Sequence, residues 1–460
     1  MDLRLPIIPS KQTFAPTKAP QELHLEAICI FAAIGFFLDQ DTYYKDKIVL
    51  SPGFDYSLDE NGFVNKAEPF FNWFYKPQDD SFESVIDQFT NLFESIIAEQ
   101  TASKKVILPL SGGLDSRTQA VALKQLDRPV FSYSYDFENG YEETKIAEAI
   151  AKASRFEFQA FKIKSGYLWD KIDSLSQLNG CYSDFTNPRQ MAIFEEYSGM
   201  GDVFSLGHWG DVLFDNMNLP DLSHDEQLKV LKEKLIKRGG LEIASDLWRH
   251  WGLKGDFQTY LSERISTLMN TIKIDNTNAR LRAFKSKYWA PRWTSINLSV
   301  FEAHAPISLP YYDDRMCNFI CTVPERFLQN RQIQLEYVKR RSPDLAKICW
   351  QDHRPYNLNN YKYNRIPFNL PYRMKNKLKR MYKKSTGSPY VQRNWELQFK
   401  GNSNITHLKK YLFENGLDNW VSKDLIRSYF NAFLKEDLQH AHAINMLLVL
   451  SKFNEKEANG

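Results

Sequence analysis

The chain has 460 residues, enough for two or three domains and a large apolar core. Its composition, 43% hydrophobic and 25% charged, is that of a folded globular protein and excludes global disorder. The net charge of +3 is too small to indicate a general affinity for nucleic acid, and DNA is not expected as a partner. Five cysteines without zinc-type spacing favour a reducing compartment. With no signal-like start and no transmembrane segment expected, a cytoplasmic location is predicted.

Three kinds of pattern occupy the first hundred residues. The first 20 residues contain four prolines and little periodicity, which predicts an extended N-terminal arm over 1–23. Residues 24–75 show short apolar runs broken by turn residues, which favours a small β-rich unit. Apolar side chains three and four apart predict an amphipathic helix over 81–102.

From residue 104, strand patterns alternate with helix patterns. Strands are expected at 104–110, 129–135, 156–163 and 202–207, and helices at 116–126, 141–154 and 188–199. This order predicts βαβ units, a parallel twisted sheet with flanking helices, and a ligand site at the carboxyl ends of the strands. The chain beyond residue 220 is predicted to be mainly helical, with candidates at 224–238, 255–272, 314–322, 330–341, 403–415 and 422–451.

The run VILPLSGGLDSR at 106–117 places two glycines, two serines and one carboxylate directly behind the first strand of this series. Gly112 and Gly113 let the backbone approach a ligand, and the start of the next helix favours an anion. Asp115 beside a phosphate requires a bridging cation, and Mg²⁺ suits that position. A tight turn followed by a helix cap explains each residue singly but not the whole set.

A second loop, LGHWGDVLFDN at 206–216, follows the last predicted strand. Asp211 would bring a second carboxylate to the same edge of the sheet, so that two acids hold metal on one triphosphate. The same spacing of glycines and acid also occurs in structural turns. This loop therefore leaves both interpretations open.

The SGGLDS loop resembles the phosphate-binding loop of the N-type ATP pyrophosphatases, and the order of motifs is similar to the synthetase half of the asparagine synthetase family. Supporting segments are 35–62, 141–154, 206–216 and 301–327. The resemblance implies a PP-loop fold of the adenine nucleotide alpha hydrolase type over 80–360. It also implies a remnant of a glutaminase domain over 24–75 and a helical C-terminal extension over 361–460.

The activity that the resemblance implies is an AMP-forming, ATP-dependent ligase. Such an enzyme adenylates a carboxylate of a small molecule or peptide, releases pyrophosphate, and passes the acyl group to ammonia or another amine. The implied ligands of ATP or pyrophosphate are Leu110, Ser111, Gly112, Gly113, Asp115, Ser116, Tyr133 and Gly207. Asp115 and Asp211 are the implied Mg²⁺ ligands, and the candidate catalytic residues are Asp115, Asp211, His208, His353 and Arg354.

The amine source departs from the family pattern. The family's glutaminases expose a cysteine as the first residue, whereas Met1 is followed here by Asp2 and the first cysteine is Cys29. No glutamine hydrolysis is therefore expected on this chain. A separate amine or glutaminase donor is expected instead, and homo-oligomerisation is left open.

The catalytic half also departs from the pattern. His208 and Val212 stand where the family has acids, and His208 is either a base near neutral pH or an ordinary hydrogen-bonding residue. The family's late lysine is absent from 348–357, where His353 or Arg354 would supply the positive charge.

Two alternative functions remain open. The altered positions are compatible with a nucleotide-binding scaffold or regulator that does not catalyse. Alternatively, the basic segment 373–384 would make the chain a lipid- or RNA-binding protein, with Met374, Leu378, Met381 and Tyr382 on one side of a helix. A solvated helix face accounts for the same basic residues.

Overall fold

The computed structural model describes residues 1–385, 387, 390–435 and 440–459. The strands are β1 (Asp2–Arg4), β2 (Phe14–Pro16), β3 (Lys47–Val49), β4 (Phe54–Leu58), β5 (Val64–Pro69), β6 (Val106–Pro109), β7 (Val130–Phe137), β8 (Glu157–Ile163), β9 (Val203–Ser205) and β10 (Ile307–Ser308).

The α-helices before residue 305 are α1 (Leu25–Ile34), α2 (Phe82–Gln100), α3 (Asp115–Gln125), α4 (Thr144–Ser154), α5 (Tyr167–Asn179), α6 (Gly210–Leu213), α7 (His224–Leu235), α8 (Gly240–His250), α9 (Phe257–Asn270), α10 (Thr277–Phe284) and α11 (Ser295–Glu302). The later ones are α12 (Asp314–Ile320), α13 (Gln332–Arg341), α14 (Pro343–Ala346), α15 (Leu370–Ser385), α16 (Asn394–Phe399), α17 (Asn402–Glu414), α18 (Lys423–Leu434) and α19 (Ala441–Asn459). A π-helical segment, Lys285–Thr294, joins α10 to α11, and the segment Arg189–Tyr197 is 3₁₀-helical.

The centre of the fold is a parallel sheet in which five of the described strands follow the order β10-β9-β6-β7-β8. β6 is buried nearly throughout, as expected for a short apolar strand with neighbours on both sides. The chain runs outward from β6 to β7 and β8 and then crosses to β9. This reversal creates a switch point beside the carboxyl end of β6, where ligands bind in such sheets. The predicted parallel α/β sheet with flanking helices is confirmed.

The N-terminal segments pair with one another. β1 pairs antiparallel with β4 and β2 with β3, so the extended arm contributes strands to two small sheets. The small strands predicted within 24–75 are confirmed as β3, β4 and β5, but the apolar run after residue 24 forms the helix α1. Ala27 to Ile34 are buried on every side, and a run without polar alternation fits a buried helix as well as a strand. Gly35, with φ +83°, ends the helix and donates to the carbonyl oxygen of Phe31.

The apolar core has two large parts. One surrounds the central sheet and includes α2, α3 and α13, and the other joins α1, α8, α9, α17 and α19. The helix expected over 422–451 is described as α18 and α19, and residues 436–439 lie outside the described part of the chain. The four-part domain division stays a prediction. No helix in the described residues is both long and apolar enough to cross a membrane.

Candidate functional site

The SGGLDS loop joins β6 to α3 and is closed by its two serines. The backbone N–H of Ser111 donates to Ser116 Oγ at 3.0 Å, and the two hydroxyl oxygens lie 2.9 Å apart. Ser111 Oγ also accepts from the backbone N–H of Gly113 at 3.2 Å. The loop therefore keeps a tight shape at the carboxyl end of β6, with Ser111 facing the open side.

A distant segment packs directly on this loop. The backbone N–H of Gly112 donates to Gln351 Oε1 at 3.1 Å, and the N–H of Gln351 donates to the carbonyl oxygen of Gly112 at 3.0 Å. The buried guanidinium of Arg117 donates to the carbonyl oxygens of Gly112, at 3.3 Å, and Cys349, at 2.7 Å. Neither Arg117 nor Gln351 belongs to a motif that marks a site in the sequence, although Arg117 directly follows the SGGLDS loop.

Asp115 begins α3 and is surrounded by protein groups. Its carboxylate forms an ion pair with Arg331 and accepts from Gln334 Nε2 at 3.0 Å, while 24% of the side chain stays exposed. Burial raises the pKa of the Asp115 carboxyl to about 6; Arg331 opposes this shift, and the negative charge of Asp211 adds to it. The two carboxylates that the sequence predicts as a pair therefore interact electrostatically.

The second loop rests against Asp115. A Cβ added at Gly207 would lie 2.9 Å from Asp115 Cβ, and one at Gly210 would lie 2.3 Å from Asp115 Oδ1. Both glycines are therefore needed for close approach of the two loops. Trp209 between them has φ +76°, and its indole N–H donates to Ser286 Oγ at 2.9 Å.

Two cavities meet at this point. The strand-end cavity, about 640 Å³, lies over the carboxyl ends of β6 and β7; its lining includes Leu110, Ser111, Gly113, Tyr133, Asp136, Tyr141 and Gln351. The large cavity, about 1030 Å³, is lined by Asp115, Ser116, Gly207, His208 and residues of the π-helical segment, among others. Pro109, Ser111, Arg189 and Asp211 line both cavities and form their shared wall.

The large cavity contains buried polar atoms without a partner among the described residues. They include His208 Nδ1, Asp215 Oδ1, Trp289 Nε1, Trp293 Nε1 and Thr294 Oγ1. Burial lowers the pKa of His208 to about 4 and that of Lys285 to about 8. This lowered pKa disfavours a base that titrates near neutral pH, and no hydrogen bond of the His208 ring occurs within the described residues, so the role of His208 stays a prediction.

His353 and Arg354 lie apart from this centre. The His353 ring packs 4.2 Å from the ring of Trp350 and 5.3 Å from that of Tyr361, and it lines neither cavity. Arg354 lines a neighbouring cleft against α15. The structure does not bring the expected positive charge to the site through either residue, and their catalytic role stays a prediction. The cations on the walls are instead Arg189, Lys234 and Lys285.

The residues near 302–313 have structural contacts. Glu302 accepts from Ser10 Oγ at 3.0 Å and lies 3.8 Å from Lys11 Nζ. Asp313 caps α12 and pairs with Arg315. This loosely matching segment contributes neither carboxylate to the two cavities.

The acids of the site fit a magnesium ion that arrives with a nucleotide. The described residues contain no group of three or more His, Cys, Asp or Glu side chains that could hold a metal alone. Asp115 and Asp211 line the same cavity, and the negative charge of Asp211 raises the pKa of the Asp115 carboxyl, an effect that a bridging cation would relieve. Mg²⁺ commonly takes one or two carboxylates and completes its shell with phosphate oxygens and water.

The parallel sheet with its flanking helices defines an α/β fold, and the SGGLDS loop lies at the carboxyl end of the central strand β6. Residues 88–301, just under half of the chain, match the family model described as asparagine synthase. The family comprises ATP-dependent, amide-forming ligases that act on small molecules.

One solved structure is similar to part of this chain. A structure of NMN synthetase from Francisella tularensis is similar at 15% identity with a TM-score of 0.22. That similarity covers 30% of this chain and 58% of the NMN synthetase chain, and it carries no argument about function. The comparison with curated proteins gave no match.

Proposed function

We propose that this chain is an AMP-forming ligase that adenylates a carboxylate with release of pyrophosphate and then transfers the acyl group to ammonia or another amine. The observation that supports this most is the shared wall of the two cavities, which includes Ser111, Arg189 and Asp211. A nucleotide in the strand-end cavity and an acid in the large cavity would meet there. Attack of a carboxylate oxygen on the α-phosphate requires this proximity.

The SGGLDS loop would hold the pyrophosphate. Its N–H groups, its serines and the N-terminus of α3 suit phosphate oxygens, and the backbone at Tyr133 would meet the adenine. In this structure the Gly112 N–H donates to Gln351 Oε1. When a nucleotide binds, a phosphate oxygen would replace Gln351 Oε1 as the acceptor. Mg²⁺ held by Asp115 and Asp211 would neutralise charge that develops on the departing pyrophosphate.

The large cavity would hold the acceptor acid. Lys234 and Lys285 supply positive charge, and the unpaired N–H groups of Trp289 and Trp293 can donate to further polar groups. A volume of about 1030 Å³ suits a bulky small-molecule acid or the end of a peptide. The proposal therefore favours an anionic acceptor with several polar substituents.

The amine would come from solution or from a separate donor. Cys29 is fully buried in α1, and burial raises its thiol pKa far above the usual range. It therefore lacks the exposure and thiolate character that a glutaminase nucleophile needs. With ATP and ammonia as small-molecule substrates, we place the reaction in the cytoplasm.

The decisive test is exchange of labelled pyrophosphate into ATP in the presence of candidate amino acids, peptides and sugar acids. We expect exchange to depend on one class of acid and to fall at least about 100-fold in Asp115→Asn and Asp211→Asn. Asp127→Asn is the matched control, because Asp127 is exposed and its φ of +50° suits asparagine. The proposal is contradicted if pyrophosphate exchange persists in Asp115→Asn. It is also contradicted if the wild type shows no exchange with any acid tested.

A nucleotide-binding scaffold is the second candidate. It is favoured by one observation: Gln351 and Arg331 already satisfy the Gly112 N–H and the Asp115 carboxylate. Calorimetry with ATP and Mg²⁺ separates the two functions. Tight binding without AMP formation in the presence of every acid tested supports the scaffold.

A further inference from the structure

Exposed hydrophobic side chains are concentrated in one segment of the surface. Of the ten large hydrophobic residues that are exposed in the described chain, eight lie between residues 363 and 382. They are Tyr363, Ile366, Phe368, Leu370, Met374, Leu378, Met381 and Tyr382, and their exposed fractions run from 45% to 71%. We call these eight residues the 363–382 patch. Contiguous apolar surface of this kind marks an interaction site.

The orientation of α15 is the reverse of that of an ordinary surface helix. Leu370, Met374, Leu378 and Met381 recur at spacings of three and four and therefore form one stripe, which is exposed. The opposite side of α15 turns toward the protein. There, Tyr372, Asn376 and Arg380 line a cleft of about 680 Å³ whose far wall includes Arg354. The polar side thus faces the body of the protein, and the apolar side faces outward.

The stripe lies in a strongly basic surrounding. Between Asp352 and Glu396 the sequence contains eleven Lys and Arg residues and no acid. Lys375 and Lys377 are exposed and flank the stripe on either side at helical spacing. No ion pair within the described residues involves either lysine. Their charge is therefore available to an anionic partner.

The segment that leads into α15 is held in place by hydrogen bonds within residues 356–369. The Tyr356 hydroxyl donates to the carbonyl oxygen of Phe368 at 2.9 Å, and Asn369 Nδ2 donates to Asn364 Oδ1 at 3.0 Å. Ile366 and Phe368 stay exposed beside these anchors, at 66% and 52%. The apolar surface is therefore presented by an anchored segment and a helix together.

We propose that the 363–382 patch and its flanking lysines bind the surface of an anionic lipid membrane. In such a complex the apolar stripe lies at the boundary between headgroups and acyl chains, and Lys375 and Lys377 reach the lipid phosphates. A second copy of the chain fits less well, because the basic surroundings of both patches would repel each other. RNA would neutralise the charge but leave the aliphatic stripe without an apolar partner.

The test is co-flotation of the purified full-length chain with vesicles of phosphatidylcholine containing phosphatidylserine, compared with phosphatidylcholine alone. We expect binding to the anionic vesicles only. Lys375→Gln/Lys377→Gln should weaken it roughly 10- to 30-fold, and Leu378→Glu/Met381→Glu should weaken it at least about tenfold. The matched controls, Lys409→Gln/Lys410→Gln on α17 and Leu434→Glu on α18, alter exposed residues outside the patch and should leave binding unchanged.

Three outcomes overturn the proposal. One is the absence of flotation when the chain is folded by circular dichroism. The second is flotation that the lysine variant abolishes but Leu378→Glu/Met381→Glu leaves intact, since simple charge attraction then accounts for it. The third is retention of single-stranded RNA, or self-association that depends on Leu378, in a protein that does not float with vesicles.

Discussion

Asp115 is the residue on which most of the site's geometry converges. Arg331 and Gln334 bind its carboxylate, and Gly207 and Gly210 pass over it with no room for a side chain. Each contact limits where the carboxylate can point. A metal ion that binds Asp115 must therefore compete with Arg331.

Replacing Gly210 by alanine should damage the site. The new Cβ would lie 2.3 Å from Asp115 Oδ1 and 2.7 Å from the Tyr311 ring, which is fully buried and cannot retreat. We expect the free energy of unfolding to fall by about 1–3 kcal/mol and the affinity for ATP with Mg²⁺ to fall at least about tenfold. Urea denaturation and calorimetry measure the two effects.

The matched control is Gly252→Ala. A Cβ at Gly252 meets no atom within 4 Å, but the backbone there has φ +63°. This variant should lose about 1 kcal/mol of stability and keep its ATP affinity. Unchanged ATP affinity in Gly210→Ala would contradict the role assigned to the close approach of the two loops.

The sequence predicts the local half of the site and misses the distant half. The glycines, serines and Asp115 of the SGGLDS loop are adjacent in the chain, so their types and order indicate a phosphate loop. Arg331 and Gln351 lie 216 and 239 residues from their partners in the loop. Periodicity carries no information about which distant turn folds back onto a loop.

At the scale of elements, the same limit appears in α1. From Ala27 to Ile34 its residues are apolar on all sides, so the sequence lacks the one-sided stripe that marks a surface helix. For helices with a stripe, such as α2 and α4, the sequence predicts the ends to within a few residues. The partner explains the difference: α1 is enclosed by α8, where a Cβ at Gly240 would lie 2.1 Å from the carbonyl oxygen of Ala33, and by other helices of its core.

The packing of α19 on α1 should make stability depend on pH. His442 donates through Nε2 to the carbonyl oxygen of Ala32 at 2.8 Å, and burial lowers its pKa from 6.5 to about 4. At a pH below about 6.5, His442 binds a proton in the unfolded chain but stays uncharged in the folded chain. Stability should therefore fall from about pH 6.5 to about pH 4, by up to about 3 kcal/mol.

Urea denaturation at about pH 7 and about pH 5 checks this prediction. His208 also has a lowered pKa and contributes in the same range, so the comparison is between the wild type and His442→Gln. His442→Gln should reduce the pH dependence by about 2 kcal/mol between these conditions. The exposed His407 supplies the control variant, His407→Gln, which should keep it. An equal pH dependence in wild type and His442→Gln would be inconsistent with the assignment.

At the scale of the whole molecule, the large cavity lies between the two parts of the core. Its walls include loops of the central sheet and, from the helical part, Val230 and Trp293. A ligand there contacts both parts. The core that contains both α1 and α19 also connects residues 24–75 with 361–460.

ATP with Mg²⁺ should stabilise the whole chain against heat. A ligand at about 100 times its Kd adds about 2.7 kcal/mol to the free energy of unfolding. Differential scanning calorimetry with and without ATP and Mg²⁺ measures the shift in Tm, and Asp115→Asn should show little of it. The same shift in Asp115→Asn would place the nucleotide elsewhere.

The inward side of α15 lines a cleft that adjoins the strand-end cavity. The cleft beneath α15 and the strand-end cavity share Tyr141, Glu143, Gln351 and Asp352 in their walls. If the outward side of α15 rests on a bilayer, one helix diameter, about 10 Å, separates the lipid surface from this common opening. A substrate tethered to a lipid could then arrive by lateral diffusion in two dimensions, whereas ATP would enter from the aqueous side.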